Sequence, residues 1–177
     1  MGIRNDVEVQ LTKLAWLGIA LFLAVSPVFS SETARPFTLR DLDGDLVELK
    51  ESLANGPVIL DFWATWCKPC VKNLSKLQKL YAEYKDRGLG VLAINEDGPR
   101  SLSKVEPFAR SLGLEFPILL DENRAVALRY GVSGFPATFV IDPKGEIILA
   151  VRGYRPGDEE TVREKILFLL DEESGNR

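Results

Sequence analysis

A chain of 177 residues with 46% hydrophobic and 27% charged content is long and apolar enough for one ordinary globular domain with a sizeable core. A net charge of −4 and no basic stripe argue against a nucleic-acid partner, and two cysteines are too few for a disulfide-built scaffold. The absence of histidine excludes Ser-His-Asp and Cys-His catalysis and any metal site built on imidazole, leaving thiols, carboxylates, amines and hydroxyls to do chemistry.

The chain opens with an uncharged, mostly apolar run from Leu14 to Phe29, preceded by Arg4 and Lys13. It has no polar face of the kind a surface helix of a soluble domain would show. Val28-Phe29-Ser30 places a small residue where a signal peptidase could cut. Residues 1–30 are therefore expected to be a signal peptide or a retained amino-terminal membrane anchor. Asp6 and Glu8 balance the two basic residues, so the exported part keeps the whole −4. Either form places the domain outside the cytoplasm, with a bacterial periplasm as the expected compartment.

Beyond the leader, Phe37-Thr-Leu39 and Leu46-Val-Glu-Leu49 flank the turn-rich stretch Asp41-Leu-Asp-Gly-Asp45 and predict two short strands. Asp41, Asp43 and Asp45 alternate as in a calcium loop, but Gly44 falls too early and the closing Glu is misplaced. Pro57 to Ala64 is a near-continuous apolar run, the pattern of a central strand buried on both faces. Val71, Leu74, Leu77, Tyr81 and Tyr84 then recur at helical spacing from Lys68 to Arg87, with lysines opposite and Gly88 placed to end the helix. Gly90 to Asn95 reads as a second buried strand. Ser101 to Leu112 reads as a helix, with Pro107 in its first turn or at a kink. Asn123 is expected to cap a short helix, Ala125 to Tyr130, stopped by Gly131. Ala137–Asp142 and Glu146–Val151 read as strands joined by a Pro143-Lys-Gly145 turn, and Asp158–Leu170 as the closing helix. This order predicts an α/β domain with a mixed sheet covered on both faces.

Cys67-Lys68-Pro69-Cys70 is the chemical centre of the chain. Closing so short a loop removes little unfolded-state entropy, so a bond between the cysteines suits repeated making and breaking better than stapling. Thiol–disulfide exchange needs one ionised, exposed thiol and a second held close behind it. The spacing supplies both if Cys67 starts the helix, where free backbone N–H groups favour a thiolate, and Cys70 lies one turn in. Asp61 lies six residues before Cys67 on the buried strand. Burial would raise its pKa and suit it to exchange a proton with Cys70, although a strand-end carboxylate bonded to backbone is the structural alternative. Glu96 and Asp97, ending the neighbouring strand, are further candidates.

Phe62-Trp-Ala-Thr-Trp-Cys-Lys-Pro-Cys70, Phe116-Pro-Ile-Leu-Leu-Asp121, Tyr130-Gly-Val-Ser-Gly-Phe-Pro-Ala-Thr138 and Ile141-Asp-Pro-Lys-Gly145 stand in an order that resembles the thioredoxin superfamily. The finer pattern is similar to its exported TlpA-like and ResA-like branch. The resemblance covers roughly residues 35–172, leaving 173–177 as a tail. It implies a thioredoxin-like fold, a central mixed sheet flanked by helices with an amino-terminal β-hairpin extension. Many of these relatives carry Asn where this chain has Asp61. Pro136 matches the family's cis-proline, which would leave the Phe135 backbone free to pair with an extended substrate. Trp66, Lys68, Pro69 and Phe135 are the expected substrate contacts, and Trp63 is expected in the core. Lys68 could lower the Cys67 pKa or stand as a solvated surface cation.

These features predict an exported thiol–disulfide oxidoreductase acting on disulfides of other extracytoplasmic proteins. The Lys-Pro dipeptide lacks the histidine that would strongly stabilise a thiolate, which leans the motif towards a reductase. No flavin or nicotinamide fingerprint is present, so no cofactor or metal is expected and a membrane or periplasmic donor must supply electrons. Cytochrome c maturation is one pathway the resemblance suggests. Two rival readings remain at this point. Two thiols could hold Cu(I) in a copper-delivery module, although relatives of that type add a histidine absent here. A thiol peroxidase would carry a Pro-x-x-x-Thr approach to its cysteine, and here Thr65 is adjacent but the proline is missing.

Overall fold

A computed structural model describes residues 32–175, so the expected leader and the last two positions of the tail lie outside the described residues. Seven strands form one mixed sheet in the order β2-β1-β5-β4-β3-β6-β7. They are β1 (Thr38–Asp41), β2 (Leu46–Glu48), β3 (Val58–Trp63), β4 (Gly90–Asn95), β5 (Ile118–Leu120), β6 (Ala137–Ile141) and β7 (Ile147–Arg152). The helices are α1 (Leu49–Leu53), α2 (Lys68–Tyr84), α3 (Val105–Ser111), α4 (Ala125–Arg129) and α5 (Asp158–Gly175). β3, β4 and β5 run parallel, while β6 joins β3 antiparallel and β1 joins β5 antiparallel. The expected amino-terminal hairpin is therefore an edge of the main sheet.

β3 is buried along its whole length, as a strand covered on both faces must be. Its side chains alternate between two apolar layers. Ile59 and Trp63 join Leu74, Leu77 and Leu80 of α2, Val105 and Ala109 of α3, and Val162 and Ile166 of α5. Val58, Leu60 and Phe62 join Leu49 and Leu53 of α1 and Val126 and Ala127 of α4 on the other side. Each fully buried Leu, Ile or Phe contributes roughly 1.5–3 kcal/mol, so these layers fix the strand order and the face each residue shows. The same alternation puts Asp61 on the face of Ile59 and Trp63, beneath α2.

Several element ends differ from the sequence pattern. The α-helix of α2 stops at Tyr84 and a 3₁₀ turn, Lys85–Arg87, carries the chain to Gly88 in the left-handed region at φ 102°. Pro107 sits in the first turn of α3, where its missing N–H breaks no helical bond. α5 runs on to Gly175, past the expected end at Leu170. Asn123 accepts from Ala125 N at 3.0 Å, but the next free donors of α4, Val126 N and Ala127 N, go to Asp121 Oδ2 at 2.9 Å each. The cap is a buried carboxylate from the end of β5, because only that oxygen reaches both N–H groups at once.

Asp41 turns the β1–β2 hairpin by accepting from the backbone N–H of Asp43 at 3.0 Å and of Asp45 at 2.9 Å. That is the work of an Asx turn. Among the described residues, no helix is long and apolar enough to cross a membrane.

Candidate active site

The loops after β3, β4 and β5 meet at one rim of the sheet, since parallel neighbours end on the same side. The β3 loop carries the cysteines. Cys67 is the N-cap of α2, Lys68 and Pro69 occupy its first turn, and Cys70 N donates to Cys67 O at 3.1 Å. The sulfurs are bonded, with Cα atoms 5.3 Å apart. Pro69 costs nothing here, because a first-turn N–H has no helical acceptor. Lys68 and Pro69 are exposed. Cys70 is fully buried, while Cys67 keeps 5% of its surface. The sequence pattern predicts an exposed Cys67; bonding to the buried Cys70 holds its sulfur against the helix in this oxidised form.

Asp61 is fully buried beneath α2. Its Oδ1 accepts from Asn73 Nδ2 at 2.7 Å and from Thr138 Oγ1 at 2.7 Å, and Asn73 Nδ2 also lies 3.1 Å from Thr138 Oγ1. Oδ2 has no partner. Burial pushes the Asp61 carboxyl up to about 7, and the hydrogen bonds from Thr138 and Asn73 only partly offset it. The carboxyl is thus held by two side chains and not, as the structural alternative had it, by backbone. Asn73 and Thr138 are site residues that sequence reasoning missed. Asn73 follows Cys70 by one helical turn, and Thr138 pairs with Asp61 in the β3–β6 register. Helical phase could have flagged Asn73 as a polar residue on the apolar face, but the register of β6 could not be read in advance.

The opposite lip is the chain before β6. The Phe135–Pro136 peptide bond is cis. Phe135 is half-buried and meets the ring of Trp66 edge-on at 5.7 Å. Trp66 is 68% exposed, whereas Trp63 is fully buried and stacks on Phe108 at 5.8 Å. The Phe135 backbone N–H and carbonyl form no hydrogen bond among the described residues. An unpaired main-chain edge beside an exposed indole can take an extended polypeptide.

Glu96 and Asp97 do different work. Asp97 grips the loop in front of Cys67: its Oδ2 accepts from Thr65 N at 2.7 Å and its Oδ1 from Thr65 Oγ1 at 2.8 Å. Asn95 braces it in turn, donating from Nδ2 at 2.9 Å and accepting from Asp97 N at 3.0 Å. Asp97→Ala leaves the Thr65 N–H without its acceptor and is expected to lower stability by about 1–3 kcal/mol. Urea titration of the oxidised protein measures this, and an unmoved midpoint would show that the grip is dispensable. Glu96 is pushed up to about 8, by burial first and then by Asp121, with Arg124 opposing. Glu96 Oε1 and Asp121 Oδ1 have no hydrogen-bond partner among the described residues. Asp121 spends its other oxygen, Oδ2, on the backbone N–H groups of Val126 and Ala127.

A dithiol pair at a helix start, a buried acid beneath it and a free backbone lip opposite define a thioredoxin-like thiol–disulfide oxidoreductase. The chain belongs to the AhpC/TSA family, whose sequence model matches residues 31–150. It is 34% identical over 182 residues to the thiol-disulfide oxidoreductase ResA of Halalkalibacterium halodurans, covering 98% of this chain and 100% of that protein. To the ResA of Geobacillus thermodenitrificans it is 37% identical over 149 residues, covering 82% and 84%. A crystal structure from Chlorobium tepidum, assigned as the thiol:disulfide interchange protein DsbE, superposes with a TM-score of 0.73 at 33% identity, covering 79% of this chain and 96% of that one.

Proposed function

We propose that this chain is an exported reductase of protein disulfides, working in a periplasmic or equivalent extracytoplasmic space. The Cys67 thiolate attacks one sulfur of a substrate disulfide, forming a mixed disulfide and releasing the other substrate sulfur as a thiolate that takes up a proton. Cys70 loses its proton and attacks Cys67, freeing the second substrate thiol and closing the Cys67–Cys70 bond. Two electrons leave with the substrate, and a membrane or periplasmic dithiol donor restores them.

The observation that carries this reading is the asymmetry of the pair: one sulfur at the helix start on the rim, the other fully buried one turn in. Cys67 is the attacking thiol, Cys70 the resolving one, and Asp61 the proton partner, with a pKa of about 7 that lets it both accept and return a proton near neutrality. Phe135 and Pro136 form the substrate lip with Trp66, Lys68 and Pro69. Maturing c-type cytochromes, whose cysteines must be reduced before haem attachment, are a substrate class this reading includes. The 1–30 segment supplies export, as a cleaved signal or an anchor.

The copper-delivery and peroxidase readings fit the residues less well: the sequence has no histidine for the first, and for the second the approach proline is missing and Thr65 commits its hydroxyl to Asp97. The reduction potential of the pair tests the direction. A value near the about −270 mV of thioredoxin supports a reductase, and one near the about −120 mV of a strong oxidant overturns it.

A further inference from the structure

The lip continues past the sulfurs as an aromatic and cationic strip. Trp66 touches the Phe135 ring edge-on, and the Arg124 guanidinium lies over that ring at 5.4 Å from its centroid. Arg124 stands between β5 and α4 with φ 59°, the one non-glycine residue with positive φ among the described residues. Holding such a backbone costs about 1–3 kcal/mol, and strain of this kind concentrates at functional positions. The side chain stays 46% exposed.

Its existing bonds are long. Nε donates to Glu96 Oε2 at 3.3 Å and Nη2 to the Val132 carbonyl at 3.5 Å, and Nη1 makes no hydrogen bond among the described residues. Burial and the neighbouring Asp121 push the Glu96 carboxyl up to about 8, which weakens the ion pair it makes with Arg124. The half-exposed guanidinium therefore presents a free Nη1 donor beside the Phe135 ring.

We infer that Arg124 is a specificity-determining residue, selecting polypeptide segments that carry a carboxylate side chain next to the cystine presented to Cys67. This rests on the exchange reading above. An extended segment laid along Phe135 places one side chain over Trp66 and the Phe135 ring and brings a neighbouring one to Arg124. A carboxylate there accepts charge-assisted hydrogen bonds from the guanidinium fork, whereas a lysine meets like charge. Exposed Lys68 adds positive charge at the same rim, so the decisive quantity is the change caused by substituting Arg124.

The test uses two short cyclic peptides, each closed by one disulfide and differing only in Asp or Lys beside a cysteine. The second-order rate constant for reduction of each peptide by the pre-reduced protein is measured in single turnover at low ionic strength. The wild-type ratio is expected to favour the Asp peptide about five- to tenfold and to fall towards one in high salt. Arg124→Glu is expected to move that ratio about tenfold towards the Lys peptide, while Arg124→Lys keeps the preference in reduced form. Both rates come from one preparation, so any unfolded fraction cancels. A ratio unmoved by Arg124→Glu, with exchange intact, overturns the inference alone. Failure of the wild-type protein to reduce either peptide overturns the exchange reading and this inference with it.

Discussion

Replacing Asp61 by asparagine is expected to make the oxidised protein more stable at pH 8 and yet a slower catalyst. The folded carboxyl keeps its proton up to about pH 7, whereas the unfolded one loses it near 3.8. Both states are protonated below the unfolded value, and there the native state bears no charge penalty. As pH rises the unfolded chain ionises freely while the folded one resists, so stability drains away and the loss is complete above about pH 7. At about 1.36 kcal/mol per pH unit the difference is roughly 4 kcal/mol. The substituted asparagine escapes it, and its side-chain carbonyl can still accept from Asn73 and Thr138. The gain should be small at pH 4 and reach roughly 2–4 kcal/mol at pH 8, read from urea titrations.

Catalysis should move the other way. Under the proposed role Asp61 takes the Cys70 proton during resolution, and loss of such a group typically slows the step about 10²- to 10⁴-fold. Single-turnover decay of a preformed mixed disulfide measures it. A variant stabilised equally at both pH values would deny the buried charge, and one resolving at the wild-type rate would deny the proton relay.

Cys70→Ser is expected to abolish multiple turnover while leaving the first attack in place. Cys67 still opens a substrate disulfide, but nothing behind it can release the adduct, so mixed disulfides accumulate towards one per protein. Non-reducing electrophoresis should show higher-mass species that collapse on adding dithiothreitol. Cys67→Ser should show none, because the remaining thiol is fully buried. Loss of the disulfide has a modest effect on stability, about 2 kcal/mol for so short a loop, and so does not confuse the outcome. Failure to capture any disulfide-bearing protein would remove Cys67 from the attacking role.

Much of this was legible from local pattern. The Pro57–Ala64 run, the helical spacing after Cys67 and the glycine at its end located β3, α2 and the sulfurs between them. What escaped was either too short or too distant. α1 has five residues and β5 three, too few for a periodic pattern to stand out, so only their place in the fold makes them elements. Asp61 was visible as a buried acid, but its partners come from 12 and 77 residues away. Which of the β6 residues faces it depends on register, and register is set by packing across the whole sheet. Glu96 was visible as a strand end, but Asp121 comes beside it only because β4 and β5 are parallel neighbours, a fact of topology. Arg124 gave no signal at all, since a left-handed backbone at a residue other than glycine leaves no mark on composition.

The burial of Cys70 has one more consequence. A protein with two reachable sulfurs could receive electrons at one while delivering them at the other. Under the proposed roles, traffic in both directions passes through Cys67, on the same strip of Trp66 and Phe135. Donor and substrate would therefore take turns. The expected cycle is ping-pong, with each partner competing for one doorway and an excess of either acting as an inhibitor.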